Sequence, residues 1–246
     1  MAEDGTYPPL DVPKPLAEGA WVVDGGPQRV LGLALPTRMT VLRLADGGLG
    51  LHSPTRHTPA LEAALAPLGP VRHLVAPNTA HWVHVSPWQK AFPEAKLWAA
   101  PGVADRARGQ GVHLRAAGVL GDPAPPPDWD GQIEQAAFSG PGFIEVVFHH
   151  RASRTLVLTD IVQAMRSGDL PLATLLFSSV VGSAAPEGAT PAHVRLVLNR
   201  RRTANRAAAE RLLTLAPERV VFAHGAFYVA DGAARLRRAL EWLLRD

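Results

Sequence analysis

Four places in the chain put ionisable side chains at the ends of runs that read as strands. Val71–Ala76 is followed by Pro77-Asn78-Thr79-Ala80-His81-Trp82-Val83-His84. In the run Ile144–His149, Glu145 stands at the start and His149-His150 close it. Thr155–Leu158 leads into Thr159-Asp160, and Arg219–Ala223 leads into His224-Gly225. Functional residues of α/β folds gather where strands end. Imidazoles and carboxylates converging from separate strands are what a divalent-metal site without thiolates requires. The chain has no cysteine, which removes disulfides, thiolate zinc sites, iron–sulfur ligation and cysteine nucleophiles together. Any metal must therefore be held by His, Asp, Glu, Asn or water.

Each candidate has a second reading. His81 and His84, three residues apart, suit two ligands on one face of a helical turn, or two polar residues of a loop. Asp160 closes the apolar run Leu156-Val157-Leu158-Thr159. An unpaired carboxylate is expensive there, so it belongs to a site or caps a following helix. His224 lies between Val220-Val221-Phe222-Ala223 and Gly225-Ala226; it fits a ligand, or a core histidine satisfied by one backbone hydrogen bond. His52, His57, His73, His113 and His193 read as surface or structural residues. Arg200-Arg201-Arg202 reads as a solvated helix face.

The elements that must position these residues follow from pattern and punctuation. Strands are expected at Met39–Leu44, Gly48–His52, Val71–Ala76, Lys96–Ala99, Ile144–His149, Thr155–Leu158 and Arg219–Ala223. Several are apolar without alternation, as strands covered on both faces are. Thr58-Pro59 and Thr190-Pro191 each place a hydroxyl before a proline, a helix-start signal. Asp231 is placed to cap the last helix, whose apolar stripe is Ala233, Leu236, Leu240, Leu243 and Leu244. Pro123 to Pro127 predicts a surface loop. Strands and helices do not alternate regularly enough for one parallel doubly wound sheet; two mixed sheets with helices outside them fit better.

Composition sets the limits. The 246 residues are 47% hydrophobic and 19% charged, which excludes a disordered chain. Residues 1–20, rich in proline, predict an extended arm ahead of a single domain over 21–246. The net charge of +3 is too small to argue for a nucleic-acid partner. The run Leu170–Phe177 is far short of the roughly 20 residues of a membrane span. The N-terminus is acidic and lacks an apolar signal region, so the expected location is the cytoplasm.

These residues resemble the metallo-β-lactamase-fold superfamily. Leu156-Val157-Leu158-Thr159-Asp160 resembles its strand ending in a bridging Asp, and Val220–Gly225 resembles its final His-Gly element. Other stretches resemble a branch of that superfamily known as a domain of unknown function. They are Arg38-Met39-Thr40-Val41, His52-Ser53-Pro54, Gly69–Asn78 and Glu145–Leu156. The resemblance spans about residues 20–245 and implies a four-layer αββα sandwich of two mixed β-sheets with helices on the outer faces. It implies a metal-dependent hydrolase of an ester, lactone or similar small-molecule substrate, using zinc, or manganese or iron. His81, His84, Asp160 and His224 would be ligands, with Asn78 and His150 as ligands or support, and Asp160 and Glu145 in catalytic roles. The sequence also departs from the pattern. Hydrolases of the superfamily carry His-x-His-x-Asp-His after the first such strand; Asn78–His84 has two His at another spacing and no Asp. The Gly-His-Thr element ahead of the bridging Asp has no match, with Glu145 or His150 as its substitute. A fold member that has lost its metal and serves as a binding or scaffold protein is the alternative, and RNA processing through the Arg run a third.

Overall fold

The computed structural model describes residues 6–30, 33–121, 125–165, 172–183 and 187–245. Seven strands lie in chain order across a first sheet: β1 (Lys14–Ala17), β2 (Ala20–Val30), β3 (Leu33–Arg43), β4 (Leu49–His52), β5 (Val71–Ala76), β6 (Lys96–Ala99) and β7 (Ala116–Val119). β1 to β4 pair antiparallel and β4 to β7 parallel. The change of direction follows the connections. Parallel neighbours need crossovers, and these are α1 (Pro59–Leu65), α2 (Val85–Ala91) and α3 (Val103–Gly109).

The second sheet runs β11-β10-β9-β8, from β8 (Ile133–Gly140), β9 (Phe143–His150), β10 (Thr155–Val157) and β11 (Arg219–Val221). Only β10 and β11 pair in parallel. Between them come α4 (Leu172–Val181), α5 (Ala192–Leu198) and α6 (Arg202–Thr214); α7 (Gly232–Ala239) and α8 (Glu241–Leu244) follow. Along β9, side chains alternate between layers, as the pleat dictates. Val146 and Phe148 join the core shared with the first sheet, while Val147 packs with Leu198, Leu212 and Leu236 of the outer helices. This is the αββα sandwich of two mixed sheets that the resemblance implied.

Local details differ from the sequence reading in places. Thr58 does cap α1, its Oγ1 accepting from the Leu61 N–H at 3.1 Å. Asp231 occupies the N-cap position of α7 but makes no capping bond, because its backbone is left-handed (φ 53°) rather than extended. The Thr190 hydroxyl accepts from Trp242 Nε1–H (3.0 Å) instead of from a helix start. β2 was not foreseen: Gly25-Gly26-Pro27 interrupts its alternation, and the register shifts there. Lys14–Ala17, inside the segment read as an arm, pairs with β2 as the edge strand. Pro127 opens a short 3-10 turn through Trp129, while Pro123 lies outside the described residues. Leu172 to Phe177 begin α4, with Leu170 and Pro171 outside the described residues; no described helix is long and apolar enough to cross a membrane.

β5, β10 and β11 end toward the same edge of the sandwich. There the Val146 N–H donates to Pro77 O (2.9 Å), and Asn78 bridges to Glu145. The two sheets are thus stitched together where their loops carry the candidate residues.

Candidate metal centre

His81, Asp160 and His224 each offer one ligand atom, and these atoms lie within 4.8 Å of one another. His81 Nε2 is 3.3 Å from Asp160 Oδ2 and His224 Nε2 is 3.2 Å from Asp160 Oδ1. The two imidazoles tilt together with ring centroids 5.2 Å apart. The three side chains retain 11%, 17% and 8% exposure respectively, so the cluster is largely dry without being sealed.

Each side chain is held by partners outside the cluster. Asn78 Oδ1 accepts from the backbone N–H groups of Ala80 (2.8 Å) and His81 (2.9 Å), bending the loop after β5 back on itself. His81 Nδ1 shares a hydrogen bond with Ser53 Oγ at 2.7 Å; Ser53 stands in left-handed backbone (φ 54°) one residue past β4. His224 Nδ1 lies 2.7 Å from Pro36 O. A carbonyl only accepts, so Nδ1 carries the proton of that bond, and Nε2 is the nitrogen turned to Asp160. Asn78 Nδ2 donates to Asp160 Oδ2 at 2.7 Å. Beneath them Glu145, fully buried, accepts from the N–H groups of Thr159 (2.7 Å) and Asp160 (2.8 Å).

The electrostatics follow from this packing. Burial alone would raise the Asp160 carboxyl; the charge of His81 and hydrogen bonds from His224 and His81 outweigh it and hold Asp160 well below its ordinary value. Burial would likewise lower His81, but the charge and hydrogen bond of Asp160 win and raise it. Glu145 is pushed up to about 7 by burial and by the charge of Asp160, against the pull of its backbone donors.

The other sequence candidates lie elsewhere or face differently. His84 is outside the donor group: residues 81–84 form a turn, and α2 begins only at Val85. His150 sits five residues along β9 from Glu145, roughly 17 Å away at ~3.4 Å per residue, and bonds Ser153 Oγ at 2.8 Å. Asn78 turns its oxygen to backbone donors and its amide to Asp160, so it orients a neighbouring carboxylate and has no free oxygen for a metal. Glu145, at the base of the site, bonds the backbone of Thr159 and Asp160. Asp160 caps no helix; a bend follows it. Sequence reasoning missed Ser53, although His52-Ser53-Pro54 had been marked, because nothing in the chain order ties β4 to the loop after β5.

The family described as Domain of unknown function (DUF4336) matches residues 18–185, more than half of the chain. The chain belongs to that family. The DUF4336 match contains Ser53, Asn78, His81, Glu145 and Asp160 and stops short of His224. No curated protein matches the sequence. Solved structures share the fold. A metallo-beta-lactamase from Pontibacter korlensis aligns over 95% of this chain and 99% of its own, at 12% identity and TM-score 0.59. The DIM-1 metallo-beta-lactamase exposed to ceftazidime aligns over 94% and 96%, at 14% identity and TM-score 0.61. TMB-1 aligns over 95% and 98%, at 11% identity and TM-score 0.63. At such identities the likeness is one of fold.

Proposed function

We propose that this DUF4336 chain is a metal-dependent hydrolase of an ester, lactone or similar small substrate. His81, Asp160 and His224 would hold one divalent cation, zinc or else manganese or iron. One observation carries the reading: two imidazoles direct Nε2 at one ionised carboxylate while the other nitrogen of each ring is engaged from outside. Histidines that bind metals are anchored in this way. Two nitrogens and one oxygen also make the donor set of an open zinc site, with a position left for water or substrate. When bound, such an ion polarises a substrate oxygen and lowers the pKa of water toward ~7.

The remaining work belongs to the chain. Pro36 O holds a proton on His224 Nδ1, so Nε2 is the atom that would bind the ion. Asn78 engages Asp160 Oδ2 and leaves Oδ1 nearer His224. Glu145 fixes the Thr159–Asp160 turn from below through two backbone N–H groups.

A binding or scaffold role without metal is favoured by one observation: of the loop Asn78–His84, only His81 reaches the donor group. Turnover separates the two. Metal-loaded protein, assayed on aryl esters and lactones, should hydrolyse members of the panel, and Asp160→Asn should abolish that activity. Metal-loaded protein inert across the panel supports the binding role.

A further inference from the structure

Arg38, on β3, buries its guanidinium to 2% exposure, and its Nε has no hydrogen-bond partner. A buried arginine–carboxylate pair is, as a rule, no more stabilising than apolar side chains of the same volume. The use of this one lies in what it grips. Arg38 Nη1 donates to Phe222 O (2.9 Å) and to Gly225 O (2.7 Å), the carbonyls on either side of Ala223-His224. One nitrogen thereby ties both ends of the turn that carries His224. Nη2 faces Asp24 Oδ1 on β2 at 2.6 Å, and Asp24 also pairs with Lys14 of β1. The rings of Tyr7 and Phe227 cover the guanidinium, 5.2 and 4.7 Å from its carbon.

The opposite side of the turn is braced as well. Ala164 N donates to His224 O (3.2 Å) and Ala226 N to Ala164 O (2.9 Å). Gly225, at φ 97°, permits this approach; a Cβ there would meet Ala164 O at 2.1 Å. The imidazole direction is then set by a frame of five hydrogen bonds: two from Arg38, two through Ala164 and one to Pro36. Three of these five come from β3.

We propose that Arg38 is a positioning residue for His224, clamping the Phe222–Gly225 turn so that Nε2 faces Asp160, with Asp24 orienting the clamp. Its consequence for metal rests on the ligand role of His224 proposed above; its effect on the imidazole does not.

Arg38→Lys keeps the charge against Asp24 but loses the planar fork that reaches the two carbonyls and Asp24 together. Two measurements test the clamp. In metal-free protein, long-range proton–nitrogen correlation of the imidazoles should show Nδ1 of His224 fully protonated in wild type and only partly protonated in the variant. In a cobalt(II) titration followed by visible absorption, affinity should fall by roughly 10- to 100-fold. A folded Arg38→Lys protein with wild-type Nδ1 protonation and wild-type cobalt affinity overturns the proposal. If wild type binds no cobalt, the metal reading fails, and Nδ1 protonation alone decides the role of Arg38. Should Arg38→Lys not fold, Asp24→Asn enters the same measurements. A partly protonated Nδ1 there supports the clamp, and an unchanged His224 overturns it.

Discussion

Lowering the pH from 7 to 5 weakens the fold at a point far from the candidate metal centre. His150 is 2% exposed, and burial pushes its imidazole down to about 4. In the unfolded chain the ring titrates near its ordinary ~6.5. Between those values the unfolded state binds the extra proton. Stability is therefore fully present above the unfolded pKa and is lost as pH falls toward the folded one. From pH 7 to 5 this linkage amounts to about 2 kcal/mol. His150→Gln stays uncharged throughout and still offers Ser153 a polar partner. The stability gap between wild type and variant should shift by that amount in the variant's favour at pH 5, measured by urea unfolding at both pH values. His52, lowered to about 3 by burial, titrates in both proteins and cancels. A gap that does not change with pH refutes the reasoning. The same variant should keep its cobalt affinity, because His150 lies at the far end of β9 from the donor group.

Three further variants separate support from ligation. Glu145→Ala orphans the buried N–H groups of Thr159 and Asp160; at ~1–3 kcal/mol each, denaturant unfolding should show a loss of about 3 kcal/mol, with weaker metal binding besides. Wild-type stability in that variant would contradict the support role. His84→Ala should leave metal affinity unchanged by calorimetry, whereas His81→Ala should lower it by roughly tenfold or more; equal losses would place His84 in the site.

Much of the sandwich could be read from the chain because its buried strands have few ways to be written. Leu74–Ala76 and Leu156-Val157 are apolar without alternation, and both prove to lie in covered stretches of strand. β2 could not be read, since Gly25-Gly26-Pro27 looks like a turn; the glycine is needed because a Cβ at position 25 would meet Thr37 Oγ1 at 2.8 Å. Asp160 was legible through cost, as a carboxylate at the end of an apolar strand needs partners, and it has Asn78, His81, His224 and Gln163. His224 fits both of its readings at once, with one backbone hydrogen bond on Nδ1 and Nε2 turned to Asp160. The choice between His81 and His84 was not legible, because three-residue spacing aligns side chains only in a helix and the helix starts later. Arg38 was visible as a residue but not as a role, and Glu145 was read in a catalytic role without its backbone partners. Their partners lie 14 to 187 positions away and are set by hairpin register and by the contact between sheets.

Metal content and thermal stability, measured together on untagged protein and on Asp160→Asn, test the metal centre most directly. Asp160→Asn keeps the shape and removes the charge that both imidazoles face. Wild type should hold one ion per chain and gain about 2.7 kcal/mol of stability at an ion concentration 100 times Kd, and the variant should lose most of that gain. Wild-type protein with no stoichiometric metal, and no shift in melting temperature with zinc, manganese or iron, would contradict the metal centre and leave the binding role in its place.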